Sequence, residues 1–196
     1  MYAQSTTTHG TLLARIANPA DPMAWSEFCR QYERMIRSFA ARQGVVGAEA
    51  DDVVQEVLIS LTKAMTSFEY DPAKGKFRSY LKTVVVRAIY RRRQKSPSNV
   101  SGLESMADIA AADDESLDAV WEEEWRQQHL RRAMCTVESE FNSSDLKCFQ
   151  SYVLNGDDAA EVSKRYDVSV GQVYNAKHRI LTRLRAVIAA QVEDEG

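Results

Sequence analysis

The chain has 196 residues, 44% hydrophobic and 27% charged, which suits one modest domain or two small ones and argues against wholesale disorder. No run nears the ~18 apolar residues of a membrane span, and the opening MYAQSTTTHG has neither part of a signal peptide, so a cytosolic location without membrane insertion is expected. The net charge of −3 averages over adjacent blocks of opposite sign. Nine basic residues and no acid lie between Pro72 and Lys95, whereas nine acids and no base lie between Glu104 and Glu124.

Helical periodicity dominates and alternating strand patterns are nearly absent, so the fold class is all-α. A first helix begins after Asn18-Pro19 and Asp21-Pro22, with Trp25, Phe28, Cys29, Tyr32, Ile36 and Phe39 on one stripe and Gly44 and Gly47 at its end. A second runs from about Asp51 to Phe68 on Val54, Val57, Leu58, Leu61, Met65 and Phe68. Asp71-Pro72 and Gly75 then make a turn. A third spans about Phe77 to Arg93, with Phe77, Leu81, Val84, Val85 and Ala88 toward a core. Residues 1–95 thus form one helical domain, its core starting near residue 19. Residues 96–119 are small, polar and acidic, too poor in large apolar groups to offset ordering entropy, and read as a flexible linker. Residues 120–196 form a second domain of four short helices.

The last two of those helices read as a helix-turn-helix. Val162 and Tyr166 precede a short turn, while Val173, Ile180, Leu181 and Leu184 follow it. Ser169 can cap the second helix. Gln172, Tyr174, Asn175, Lys177, His178 and Arg179 lie on or beside its polar face, where amides and cations suit base edges and phosphates. The competing reading is a solvated basic helix in an ordinary bundle. In the first domain, Asp51, Asp52, Gln55 and Glu56 form either an acidic docking patch or a solvated helix start favoured by the helix dipole. FRSYLKTVVVRAIYRRRQK combines Lys and Arg with Phe77, Tyr80 and Tyr90, and its outward arc carries Thr83, Val86 and Tyr90. Aromatics that stack on unpaired bases, beside cations that hold phosphates, are what single-stranded DNA binding needs. The alternative is that the tyrosines finish the core edge.

Catalysis is not indicated. DDVVQ lacks the third acid of an aspartate-rich metal motif, His9, His129 and His178 are scattered, and Lys74-Gly75-Lys76 lacks the glycines and hydroxyl of a phosphate loop. Cys29, Cys135 and Cys148 are odd in number and never in CxxC spacing, so they read as buried thiols rather than disulfide or zinc ligands. No enzyme activity, cofactor or metal is expected.

The segment AEADDVVQEVLISLTKAMTSFEYDPAKGKFRSYLKTVVVRAIYRRRQK resembles sigma region two, and the C-terminal segment resembles sigma region four. Their order, with only a short acidic linker between, is similar to the extracytoplasmic-function sigma factors of bacterial RNA polymerase. The resemblance implies an initiation factor that binds core polymerase, recognises both promoter elements and promotes melting. Asp51, Asp52, Gln55 and Glu56 inherit docking on the clamp helices of the beta-prime subunit. Lys76, Arg78, Tyr80, Lys82, Thr83, Arg87, Tyr90 and Arg91 inherit capture of the −10 element as single strands. Ser169, Gln172, Tyr174, Asn175, Lys177, His178 and Arg179 inherit reading of the −35 element as duplex. An anti-sigma factor is a further partner that the family allows, and the acidic linker suits the basic RNA path of the polymerase. Tyr80 stands where similar factors usually have Trp, Arg87 where many have Asn, and Asp167 where the turn usually has Gly. The rival classes are a conventional helix-turn-helix repressor or activator that binds duplex DNA without polymerase, and a helical adaptor that binds no promoter.

Overall fold

The computed structural model describes residues 12, 15–16, 21–65, 77–95 and 115–193, and every regular element among them is helical. The helices are α1 (Pro22–Arg42), α2 (Ala48–Met65), α3 (Phe77–Lys95), α4 (Glu115–Glu140), α5 (Ser143–Phe149), α6 (Ala159–Tyr166) and α7 (Val170–Glu193). A single π-helical turn, Gln150–Leu154, follows α5. The chain divides into two compact units, the first running through Gln128 and the second from His129 to Glu193.

In the first unit, Asp21 caps α1 by accepting from the Ala24 amide at 3.0 Å, and Pro22 takes the first helical position, where a missing amide proton costs nothing. Arg15 bridges Asp21 and Glu27 at 2.8 and 2.9 Å, and its hydrogen bond holds the Asp21 carboxyl below the usual carboxylate range. Gly44, at φ +80°, turns the chain out of α1, and Gly47, at φ +61°, starts it into α2. Phe28, Tyr32, Met35, Ile36 and Phe39 of α1 are buried against Ala50, Val53, Val57 and Leu61 of α2 and Phe77, Leu81, Val85 and Ile89 of α3. Each set recurs at spacings of three and four, the signature of one helix face. Phe68 and the turn at Asp71–Gly75 lie outside the described residues.

Two departures from the sequence expectations concern α4. Its 26 residues begin at Glu115, five positions inside the span read as linker, and the rest of that span, 96–114, lies outside the described residues. Its first half completes the first core: Trp121 and Trp125 are 2% and 3% exposed, and the Trp121 ring meets Phe39 edge-on at 5.0 Å. Val86, placed on the outward arc of α3 by the sequence pattern, is half-buried against the same core.

The second unit is two apolar clusters side by side. Ala133, Val137, Phe149, Ile180 and Leu184 make one; Cys148, Ala159, Val162, Val173 and Ala176 make the other. Asn142 caps α5 through Asp145 N at 2.9 Å, and Asp158 caps α6 through Ala160 N at 2.8 Å. Of the four short helices expected over residues 120–196, the last is instead long, at 24 residues. Burial raises the thiols of Cys29 and Cys148, but Cys135 is exposed, against the expectation of three buried thiols.

The turn between α6 and α7 depends on Asp167, which sits in the left-handed region at φ 52°, ψ 50° while the Val168 amide donates to Ser163 O at 3.1 Å. Asp adopts this conformation at lower cost than most residues, and Gly adopts it without strain. Asp167→Gly should therefore leave the second unit as stable or more stable, by up to about 1 kcal/mol, whereas the β-branched Asp167→Val should cost about 1–2 kcal/mol. Thermal unfolding of the two variants checks this, and equal melting temperatures would contradict it.

Candidate nucleic-acid interfaces

In the first unit the acidic patch forms as the helix face predicts, but its carboxylates are engaged. Asp51 accepts from Arg37 at 2.7 Å, Asp52 pairs with Arg92 at 2.9 Å, and Glu56 pairs with Arg91 at 2.9 Å. Gln55 is exposed between them. Asp51 and Asp52 keep half or more of their side-chain surface, at 54% and 50%, so a partner could still reach them. Exposed pairs of this kind contribute only about 0–1 kcal/mol each and exchange readily.

The basic helix α3 lies between two rows of acids. On one side its C-terminal arginines meet α2, with Arg92 also 3.7 Å from Glu49. On the other, Lys82 pairs with Asp118 and Arg78 with Glu122, both acids carried by α4. The Arg78 guanidinium also lies 5.4 Å from the centroid of the Trp125 ring, a cation–π contact. Tyr80 is half-buried against the core, its ring 6.5 Å from that of Phe77, and Tyr90 is half-buried as well. Thr83 spends its hydroxyl within the helix, donating to Ser79 O at 3.0 Å. Arg87 is exposed, with no ion-pair partner among the described residues. Lys76 lies outside the described residues.

In the second unit Ser169 and Gln172 form a reciprocal capping box: the Gln172 amide donates to Ser169 Oγ at 3.2 Å, and the Ser169 amide donates to Gln172 Oε1 at 2.7 Å. The S-x-x-Q spacing carries that signal in the sequence. Val173, Ala176, Ile180 and Leu184 face inward, leaving Gln172, Asn175, His178 and Arg179 along a groove whose far wall holds Asn142, Ser144 and Asp145. Arg179 is anchored there by Asp145 at 2.5 Å and lies over the Phe141 ring. Tyr174 is half exposed and meets Tyr152 edge-on at 5.5 Å, while the Lys177 ammonium sits 5.1 Å from the Tyr152 centroid. Beyond the groove, Arg183 grips Glu140 through two bonds of 2.6 Å, which hold that carboxyl below its usual range.

Sequence reasoning missed Asp118 and Glu122, whose four-residue spacing puts them on one face of α4, and Asp145 and Tyr152, whose roles depend on tertiary contacts. Among the described residues, no three His, Cys, Asp or Glu side chains gather as a metal site, and no helix is long and apolar enough to cross a membrane.

Residues 28–96 match the Sigma-70 region 2 family. No curated protein sequence matches the chain. Among solved structures it is similar to CnrH, seen in complex with the cytosolic domain of CnrY, at 17% identity over 94% of this chain and 99% of that one, with a TM-score of 0.39. The family match takes in α1 from Phe28 and the whole of α2 and α3, so this first unit holds a sigma-70 region 2 domain.

Proposed function

We propose that the chain is an initiation factor of the extracytoplasmic-function type, which brings core RNA polymerase to promoters and helps to open them. The observation that carries the reading is the region 2 match, because the acidic face of α2 and the basic, tyrosine-bearing helix α3 both fall inside it. On this reading Asp51, Asp52, Gln55 and Glu56 dock on the clamp helices of the beta-prime subunit. Arg78, Tyr80, Lys82, Arg87, Tyr90 and Arg91, with Lys76 before them, hold the separated strands of the proximal promoter element. The capped helix α7 reads the distal element as duplex. Co-purification with core polymerase, followed by run-off transcription, separates this from a repressor that binds duplex DNA unaided.

Asp52→Lys combined with Glu56→Lys should abolish co-purification with core polymerase, since reversal places cations where a basic partner docks. The exposed pairs lost to Arg92 and Arg91 cost about 0–1 kcal/mol each, so the variant should still melt cooperatively. Undiminished recovery of polymerase would remove the docking assignment.

In α7 the capping box already holds the Gln172 carbonyl oxygen, which leaves Asn175 as the residue with a complete amide to offer an adenine edge. Asn175→Ala should shift preference at one base position by about 1–3 kcal/mol, while Arg179→Ala should weaken all sequences alike and lower the salt slope by about one. Binding across a duplex promoter library reads both, and identical profiles would show that α7 is not the reader.

Tyr90→Ala should impair opening more than recruitment, because an unpaired base becomes a stacking partner only after the strands part. The loss of one stack, about 1–3 kcal/mol, lowers the open population roughly 5- to 150-fold when opening is near balance. A premelted template should restore most of it. Tyr80 also packs against the core, so Tyr80→Ala should lower stability as well, and a melt distinguishes the two effects. Equal defects of Tyr90→Ala on duplex and premelted templates would assign that ring to packing.

A further inference from the structure

The start of α4 carries two kinds of contact with the first unit, and they fall on neighbouring turns. Trp121 and Trp125, four residues apart, go into the core with Leu117 and Val120 half-buried beside them. Asp118 and Glu122, also four apart, reach the basic face of α3 at Lys82 and Arg78. Further along, the buried Glu124 carboxylate pairs with Arg42 of α1 at 3.0 Å, and the Gln128 amide donates to the Gln31 carbonyl. The indoles therefore fix the helix, and its register delivers the two acids to their cations.

We infer that this acidic turn is an internal competitor for DNA: Asp118 and Glu122 occupy Lys82 and Arg78 as two backbone phosphates would, and a single strand must displace them to bind. The inference rests on the assignment of α3 as the strand-holding face. Carboxylate and phosphate oxygens offer a guanidinium or an ammonium the same charge-assisted hydrogen bonds, so the two occupants exclude one another. Asp118 and Glu122 are each 52% exposed at the side chain, which makes the mask exchangeable rather than permanent. Only these two carboxylates need to swing away, because the indoles hold the helix through different atoms.

The test uses the full chain without polymerase and a fluorescent random-sequence single-stranded DNA of about a dozen nucleotides, followed by anisotropy at low salt. Asp118→Asn with Glu122→Gln keeps shape and removes charge, and should bind roughly 3- to 10-fold more tightly than the parent, a gain that shrinks as salt rises. Arg78→Gln with Lys82→Gln should bind more weakly, and the four changes together should show no gain over that pair. A gain that persists in the fourfold variant would come from overall charge and would overturn the masking. Unchanged binding of the acid variant, with weaker binding of the base variant, would overturn the masking and leave α3 as the strand face. If both pairs bind like the parent, the strand assignment falls and the masking falls with it.

Discussion

Burial of two indoles from α4 is the contact on which the arrangement of the first unit depends. A tryptophan covers roughly 150–250 Å², and at ~25 cal/mol per Å² each ring is worth up to about 4–6 kcal/mol as an upper bound. The Glu122–Arg78 and Asp118–Lys82 pairs beside them are partly exposed and worth about 0–1 kcal/mol each. Apolar packing therefore holds α4 on α1 and α3, while the charges choose which face of α4 turns toward which cation. The packing is not free of cost: the buried Trp121 Nε1 finds no acceptor among the described residues, an omission worth about 1–3 kcal/mol.

The consequence for α3 is that its positive charge is largely compensated before any partner arrives. Arg91 and Arg92 are matched by Glu56 and Asp52, and Arg78 and Lys82 by Glu122 and Asp118. Arg87 projects outside both rows. Exposed pairs rearrange at small cost, so the same residues can serve two sets of contacts. On the proposed function, docking that engages the acids of α2 would leave Arg91 and Arg92 without their carboxylates and more attractive to phosphate, so polymerase binding and strand capture would draw on one shared network.

The helices of the first unit were legible because Phe28, Tyr32 and Ile36, or Val54, Val57 and Leu61, repeat at helical spacing regardless of what they pack on. The cap at Ser169 was legible for a similar reason, since an N-cap hydroxyl and Gln172 three positions on form a local unit. The start of α4 was not. Its acids Glu115 and Asp118 continue a polar, acidic run, and nothing local says that Trp121 and Trp125 are anchored in a core more than 80 positions upstream, at Tyr32 and Phe39. The same limit hid the pairing of the site residues: charge and face placed Arg78, Lys82 and Arg179 correctly on their helices, but their carboxylate partners come from other elements.

Both units treat their candidate DNA contacts alike, and this bears on selectivity. In the second unit Asp145 holds Arg179, and Glu140 holds Arg183, as Glu122 and Asp118 hold Arg78 and Lys82 in the first. Phosphate contacts supply affinity for any sequence, whereas base contacts separate one sequence from another. Carboxylates that compete for the phosphate-binding cations subtract from the first term and leave the second alone, because Asn175 and His178 remain exposed on α7. What counts for a promoter-reading protein is the ratio between the right site and a vast excess of wrong ones. A net charge of −3 is thus compatible with the proposed function: on that reading the acids that produce it would hold non-specific binding down, and base edges and melted strands would supply the rest.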